Sequence, residues 1–228
     1  IKSTQDFVCL ALSVQFASLW NGVYGLNPKD KVQLLGPDVK IVLDSDVDLS
    51  GTGVVGLGFD SANKLQTFMG TFNGNSHKVA LAIGEPYGKR GDAAIDASDG
   101  NGKIYRHNRL GLFPAIGGGA TVSNLTVDGA MNGVAMKFDN GVSVDAGLLA
   151  ATITGNATIN GVTCGPTIPR DDTSNPTITC DDTFANDANI GGMAGSVSGG
   201  GIVTFDSSTK AQSIINTGAT LNGNTRIG

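Results

Sequence analysis

The stretch GLFPAIGGGATVSNLTVDG, Gly111–Gly129, contains a pattern that recurs later in the sequence. GLLAATITGNATINGVTCG starts at Gly147, and GGMAGSVSGGGIVTFDSST starts at Gly191. Each stretch opens with glycine and apolar residues, passes a corner of small residues and continues with alternating Thr, Val and Ile. Short alternating runs between glycine-rich corners are typical of short β-strands. Self-similarity over a few tens of residues indicates stacked repeats that bury their apolar faces on one another.

Two all-β architectures are compatible with such repeats. A β-propeller would use Asn-Gly hairpins, and this alternative stays open because the pair occurs at Asn73, Asn132, Asn140 and Asn160. Strands of about four to six residues with aliphatic side chains favour a parallel coil, in which small side chains stack in columns. We therefore predict that residues 1–228 form a single right-handed parallel β-helix. In it, Leu112, Leu148 and Met193 occupy equivalent inward positions.

The beginning of the chain differs from the repeats. STQDFVCLALSVQFASLWNG, residues 3–22, has Ser3 or Thr4 as N-cap and Asp6 in the first turn. Its apolar spacing predicts an α-helix over 3–21 that ends at an Asn-Gly stop. We expect this helix to cap one end of the coil, since an uncovered end exposes strand edges. Cys9 falls in the apolar pattern and is expected to be buried.

Composition limits the class of protein. Aromatic residues are 6 % of the chain against 40 % hydrophobic, so the predicted core is aliphatic. A net charge of −5 argues against nucleic acid as a partner. The sequence has no apolar run of the ~20 residues that spanning a bilayer requires. Because the chain opens at Ile1, we expect that a leader or upstream region was removed, and the Thr-, Ser- and Asn-rich composition indicates an extracellular protein.

Two of the three cysteines bracket a loop. Cys164 and Cys180 flank GPTIPRDDTSNPTIT, which is rich in turn residues. A disulfide between them would close a loop of about 15 residues and stabilise the fold by about 3 kcal/mol.

Three carboxylates alternate in DSDVDLS. Asp44, Asp46 and Asp48 are the weak candidate for a calcium site. An EF-hand loop requires Gly at its sixth position, where this chain has Leu49. The favoured interpretation is a solvated strand face, and we predict no cofactor.

An insertion of about 25 residues, 85–109, interrupts the repeats. Long insertions in stacked proteins often form binding loops. This one holds five of the 15 Lys and Arg residues and the tripeptide Arg-Gly-Asp. The candidate ligand-binding residues are Tyr87, Lys89, Arg90, Asp92, Tyr105, Arg106 and His107.

Few residues suggest catalysis. His77 lies in the corner NGNSHKV and is expected to hydrogen-bond within a turn. A polysaccharide lyase or glycosidase would need paired carboxylates. Asp171-Asp172 and Asp181-Asp182 offer them, but such adjacent pairs are also common turn formers. With one Trp and three Tyr to stack on sugars, the chain is predicted not to be an enzyme.

GTFNGNSHKVALAIG, from Gly70, followed by GLFPAIGGGATVSNLTVDG, resembles the bacterial surface proteins that carry GLUG repeats. Pro114 and Ser76 depart from the usual glycines of that pattern. The resemblance implies a parallel β-helix on an adhesin-like secreted or cell-surface protein. We predict a non-enzymatic module for adhesion or as a stalk, with a host or matrix glycan or protein as partner. The alternatives are a self-assembling filament subunit, with copies of itself as partner, and a polysaccharide-active enzyme.

Overall fold

The computed structural model describes residues 1–23, 34–58, 66–83, 95–96, 104–105, 109–134, 144–165, 178–180, 188–212, 215–216 and 225–227. These residues contain one α-helix, α1 (Thr4–Val23), and twenty strands. In chain order the strands are β1 (Lys40–Val42), β2 (Val47–Asp48), β3 (Thr67–Phe68), β4 (Thr71–Asn73), β5 (Lys78–Ile83), β6 (Ile95–Asp96), β7 (Ile104–Tyr105), β8 (Arg109–Leu110), β9 (Phe113–Ile116), β10 (Ala120–Val134), β11 (Val144–Gly147), β12 (Ala150–Thr154), β13 (Ala157–Cys164), β14 (Ile178–Cys180), β15 (Ala188–Gly191), β16 (Ala194–Ser198), β17 (Val203–Phe205), β18 (Lys210–Ala211), β19 (Ile215–Asn216) and β20 (Thr225–Ile227).

The helix begins where the sequence predicts it. The backbone N–H of Asp6 donates to Oγ of Ser3 at 3.2 Å, so Ser3 is the N-cap, and the Asp6 carboxylate accepts from the N–H of Lys2 at 2.8 Å. These two bonds satisfy donors that a helix start otherwise leaves without partners. The predicted helix over 3–21 is confirmed as Thr4–Val23.

One face of α1 packs into the core. Phe7, Ala11 and Val14 are buried, and their spacing of four and three residues defines a helical stripe. The expectation that Cys9 is buried is wrong: its side chain is exposed because it lies off the buried stripe. Leu12 also lies off the stripe and is 39 % exposed.

The other elements form three parallel sheets. Sheet I consists of β8, β11, β15 and β20, and sheet II of β3, β9, β12 and β16. Sheet III holds the ten remaining strands apart from β6 and β7. The chain passes from sheet I to II to III three times in succession, through β8–β10, β11–β13 and β15–β17. The fold is therefore β-rich, with parallel sheets and one helix among the described residues, and the antiparallel propeller alternative is wrong.

The pairing register reproduces the sequence repeats. Gly147 pairs with Gly191, and Leu110 pairs with Ala146, which aligns the repeat start at Gly111 with Gly147. Thr121 pairs with Thr158, thirty-seven residues later.

The predicted equivalence of three inward-facing residues is confirmed only in part. Leu112 and Leu148 are buried as predicted. The flanking pairs place Met193 opposite Leu149 instead of Leu148, and its side chain is half-buried. The repeat starts at Gly147 and Gly191 are in register, so Gly192 stands opposite Leu148 and the prediction for Met193 is wrong by one position.

A bend inside each of the first two repeats occurs at a residue with positive φ. Asn124 has φ 51°, and Gly161, at the equivalent register position, has φ 59°. Glycine and asparagine tolerate this left-handed conformation better than other residues. The repeated Asn/Gly corner is therefore explained by backbone geometry.

Three columns of stacked side chains run through the interior. The Phe68 column contains Phe68, Ile116, Ile153 and Val197. The Phe72 column contains Ile41, Phe72, Val122, Ile159 and Phe205. The Val79 column contains Val47, Val79, Val127, Cys164 and Ala211.

The core is aromatic at one level. The rings of Phe68 and Phe113 stack with centroids 4.9 Å apart, and Phe72 meets Phe113 edge-on at 5.6 Å. The expectation of an aliphatic core is wrong here, because three of the nine phenylalanines meet in one buried cluster.

Candidate functional site

The inserted segment 85–109 contains a hairpin. Ile95 pairs with Tyr105 and Asp96 with Ile104 in an antiparallel ladder, β6–β7. Every other pairing among the described residues is parallel, so the hairpin is a separate element between β5 of sheet III and β8 of sheet I.

Most of the predicted ligand-binding residues cannot be located in the structure. Of the candidate residues, only Tyr105 belongs to the described backbone, as a residue of β7. Tyr87, Lys89, Arg90, Asp92, Arg106 and His107 lie outside the described residues. Their role in ligand binding stays a prediction.

The three alternating aspartates have different surroundings. Asp44 lies in a bend, where its N–H donates to the carbonyl of Ile1 at 2.8 Å. Oδ1 of Asp46 accepts from the N–H of Lys78 at 2.9 Å, and Oδ1 of Asp48 accepts from the N–H of Ser50 at 2.9 Å.

The predicted solvated face is confirmed in part, because all three aspartates are exposed and lie next to the buried residues Leu43, Val47 and Leu49. The strand β2 begins only at Val47, so the three aspartates do not alternate along a single strand. No group of three His, Cys, Asp or Glu side chains among the described residues is arranged to hold a metal ion. Two of the carboxylates instead bind backbone donors.

Asp46 and His77 form an exposed pair. Nδ1 of His77 lies 3.3 Å from Oδ1 of Asp46, and the N–H of His77 donates to the carbonyl of Gly74 at 2.8 Å. The N–H of Lys78, and then His77, hold the pKa of Asp46 below its ordinary value. The prediction that His77 hydrogen-bonds within a turn is confirmed.

A second polar cluster surrounds Asp206. Its carboxylate accepts from Oγ of Ser208 at 2.6 Å, from Oγ1 of Thr209 at 2.7 Å and from the N–H of Gly161 at 2.9 Å. These donors, Ser208 foremost, lower the pKa of Asp206 to about 2. The sequence analysis missed this cluster, although an Asp followed by Ser and Thr two and three residues later is a signal for a side-chain-stabilised turn.

A third cluster lies where sheets I and II meet. Oδ2 of Asp145 accepts from Oγ1 of Thr152 at 3.3 Å, and Oδ1 accepts from Nδ2 of Asn189 at 2.8 Å. Oγ of Ser196 continues the chain of bonds to Oγ1 of Thr152 at 3.2 Å. No local pattern reveals this cluster, because its members come from successive passes of the chain. All three clusters use their carboxylates to fix corners of the fold.

The two cysteines of the predicted disulfide lie apart in register. Cys164 pairs with Val127 of β10, and Cys180 pairs with Val134, seven positions further along that strand. A disulfide requires Cα atoms within about 7 Å, whereas seven extended residues span about 23 Å. This register disfavours the bond, but the side chain of Cys180 lies outside the described residues and the disulfide stays a prediction.

The stack has two unlike ends. We call the closed end the region of β1 and β2 with Ile1 and α1. There the N-terminal amino group of Ile1 donates to the carbonyl of Val42 at 2.8 Å, and Oγ1 of Thr4 accepts from the N–H of Asp48 at 3.0 Å.

We call the open end the edge formed by β16, β17 and β18. Among the described strands, each of these three pairs on one side only, with β12 or β13. Its large apolar side chains are exposed: Ile202 by 77 %, Val197 by 55 % and Phe205 by 44 %.

No protein-family model matches the chain, and no curated protein and no solved structure matches it. The resemblance to GLUG-repeat proteins therefore stays a prediction. Within the part of the chain that the structure describes, no helix has the length and hydropathy to cross a membrane. The carboxylate pairs Asp171-Asp172 and Asp181-Asp182, which a polysaccharide-active enzyme would need, fall outside the described residues.

Proposed function

We propose that the chain is a non-enzymatic, extracellular or cell-surface module built as a right-handed parallel β-helix. The repeated passage through sheets I, II and III with matched register supports a coil. The right-handed sense follows from the strong preference of crossovers between parallel strands. In this architecture α1 caps the first coil, which is supported by the burial of Phe7, Ala11 and Val14.

The observation that supports a binding role is the antiparallel hairpin β6–β7. It is antiparallel, whereas every other strand pairing in the described part of the chain is parallel, and it lies between β5 and β8 in the chain without belonging to sheets I–III. A rigid stack that presents one long insertion is the usual design of a binding module, because the scaffold fixes the loop. We propose that the segment 85–109 recognises a glycan or protein of a host or matrix.

The test is binding to arrays of glycans and matrix proteins. The variant replaces residues 86–108 with a two-residue Gly-Ser linker, and the control replaces the segment 166–177 with the same linker. We expect the first change to abolish binding and the second to leave it intact. Binding that survives removal of 86–108 contradicts the proposal.

An enzyme assay tests the non-enzymatic part of the proposal. The protein is incubated with a panel of acidic and neutral polysaccharides, and reducing ends and unsaturated products are measured. We expect no product above the background of a heat-denatured sample. Sustained product formation that is lost on changing Asp171 and Asp172 to Asn would favour the polysaccharide-active alternative.

A second candidate, self-assembly, is supported by the open end. Unpaired strand edges beside exposed apolar side chains are the usual site of strand addition. A filament would need two such ends, whereas Ile1 and Thr4 occupy backbone groups at the closed end.

A further inference from the structure

A column of polar side chains lies on the outer face of sheet I. Asp145 pairs in register with Arg109 on one side and with Asn189 on the other. Each of the three precedes a buried residue of its own strand, and those buried residues are Leu110, Ala146 and Ile190. Because successive side chains of a strand point to opposite faces, the three polar side chains face outward, and all are half-buried.

The outer faces of sheets I and II meet in a groove. Thr152 of β12 precedes Ile153 of the Phe68 column and therefore lies on the outer face of sheet II, yet it is only 3 % exposed. Its Oγ1 donates to Oδ2 of Asp145 at 3.3 Å, which two outer faces allow only where they meet at a concave angle. The backbones are so close that a Cβ on Gly195 of β16 would lie 2.5 Å from the amide nitrogen of Ala146. We call the polar groove the surface lined by Arg109, Asp145, Thr152, Asn189 and Ser196.

The polar groove has hydrogen-bonding capacity that the described fold does not use. The guanidinium of Arg109 makes no hydrogen bond or ion pair to another described residue, although it carries five N–H donors. Each carboxylate oxygen of Asp145 accepts one bond and can accept a second. Asn189 donates through Nδ2 and keeps its Oδ1 free of described donors. These half-buried groups are therefore available to a ligand.

The chemistry of these groups fits a neutral glycan. A sugar hydroxyl both accepts and donates, so it can bind the Arg109 guanidinium and the Asp145 carboxylate in turn. The charges of Arg109 and Asp145 cancel, and the chain as a whole carries −5, which disfavours an acidic polysaccharide. The groove follows the stacking direction and presents polar groups at intervals of about 4.8 Å, which suits a linear chain of sugars.

We propose that the polar groove binds a linear, neutral glycan along the stacking direction. Arg109 donates to hydroxyl groups of the glycan, Asp145 accepts from them, and Asn189 contacts the part of the glycan in the next layer. The site lies on the stack itself, beside the end of the segment 85–109. The inference rests on the proposed function in taking the ligand to be a glycan.

The test is isothermal titration with cellohexaose, chitohexaose and mannohexaose, with oligosaccharides of hyaluronan and polygalacturonate as acidic comparisons. We expect at least one neutral hexasaccharide to bind, and Arg109→Ala to raise its Kd at least about tenfold, the usual loss when a bond to a charged group is removed. Lys40→Ala is the matched control, because it removes one exposed positive charge from β1 of sheet III. It should leave the Kd unchanged.

A second variant tests the acceptor side. Asp145→Asn keeps the size of the side chain but removes the charge and one acceptor oxygen, and should also weaken binding about tenfold. Asp206→Asn makes the same change in sheet III and should leave the Kd unchanged. Circular dichroism melting verifies that each variant is folded, and Arg109→Ala decides the question if Asp145→Asn is not.

Three outcomes overturn the proposal: no binding of any neutral hexasaccharide, binding of acidic oligosaccharides alone, or equal weakening by Arg109→Ala and Lys40→Ala. The replacement of residues 86–108 separates this inference from the proposed function, because it retains Arg109. Array binding that survives the replacement contradicts the role of the segment and leaves the polar groove in place. Unchanged affinity in Arg109→Ala, with binding lost in the replacement, assigns recognition to the segment and overturns the polar groove.

Discussion

The closed end and the open end contain the same kinds of side chain in opposite states. Phe7 and Phe205 are both phenylalanines next to the first and last strands of sheet III, yet Phe7 is buried and Phe205 is 44 % exposed. The difference lies in what covers each residue: a helix with a matching apolar stripe packs at the closed end, whereas the only described strand beyond β15–β18 is β20, which pairs with β15 and not with β16, β17 or β18. In a stacked protein, burial is decided by the next layer, and a residue's apolar character alone does not predict it.

Truncating the two phenylalanines should give the largest contrast. Phe7→Ala removes a fully buried ring and should cost about 3–5 kcal/mol of unfolding free energy. Phe205→Ala removes a half-exposed ring and should cost about 1 kcal/mol or less in the monomer. Urea denaturation at low protein concentration measures both values. Equal costs would mean that α1 does not seal the core.

Glycine substitutions should give the next largest effect. A Cβ added to Gly147 would lie 2.5 Å from Cα of Ala194, so Gly147→Ala forces neighbouring chain segments apart and should cost about 1–3 kcal/mol. Gly200, near the open end, has nothing within 4 Å of such an atom. Gly200→Ala should therefore change the melting temperature little. A loss at Gly200 as large as that at Gly147 would show that the open end is as tightly packed as the interior.

Acid should weaken the open end through Asp206. Its folded pKa of about 2 lies below the unfolded value of about 3.9. A lowered pKa gives stability that is present above pH 4 and is lost as the pH falls from about 4 towards 2. Thermal melting across this range should show the loss, and Asp206→Asn should reduce it.

The matched variant for this pH dependence is Asp46→Asn near the closed end. Its pKa is also lowered, through the N–H of Lys78 and through His77. Both variants should reduce the fall in melting temperature at acid pH, because each removes a carboxylate that accepts hydrogen bonds in the folded state. If neither variant changes this fall, other carboxylates cause it.

Particular residues show how far the sequence predicts this fold. The pairing of Thr121 with Thr158 and the corners at Asn124 and Gly161 could be read from the repeats, because equivalent strands of a stack meet at a constant spacing. The cluster around Asp145 could not, since Asn189 comes from a chain segment 44 residues away that only the register brings close. For Asp206 the local turn with Ser208 and Thr209 could be predicted, but the bond from Gly161, 45 residues away, could not. The prediction matches Met193 to Leu148 by residue type, whereas counting from the paired glycines Gly147 and Gly191 matches it to Leu149.

The smallest expected effect is chemical and concerns the thiols. Cys9 is exposed on α1, whereas Cys164 is fully buried in the Val79 column, where burial raises the pKa of its thiol. Thiolates are the reactive form, so a maleimide should modify Cys9 within minutes and Cys164 only when the chain unfolds. Mass spectrometry of peptides from native and denatured protein, with and without reductant, measures this difference. The same digest tests the predicted disulfide. A Cys164–Cys180 bond would protect Cys164 in denatured protein until reductant is added. The separation of seven register positions between the two cysteines instead predicts that Cys164 is modified in denatured protein without reductant.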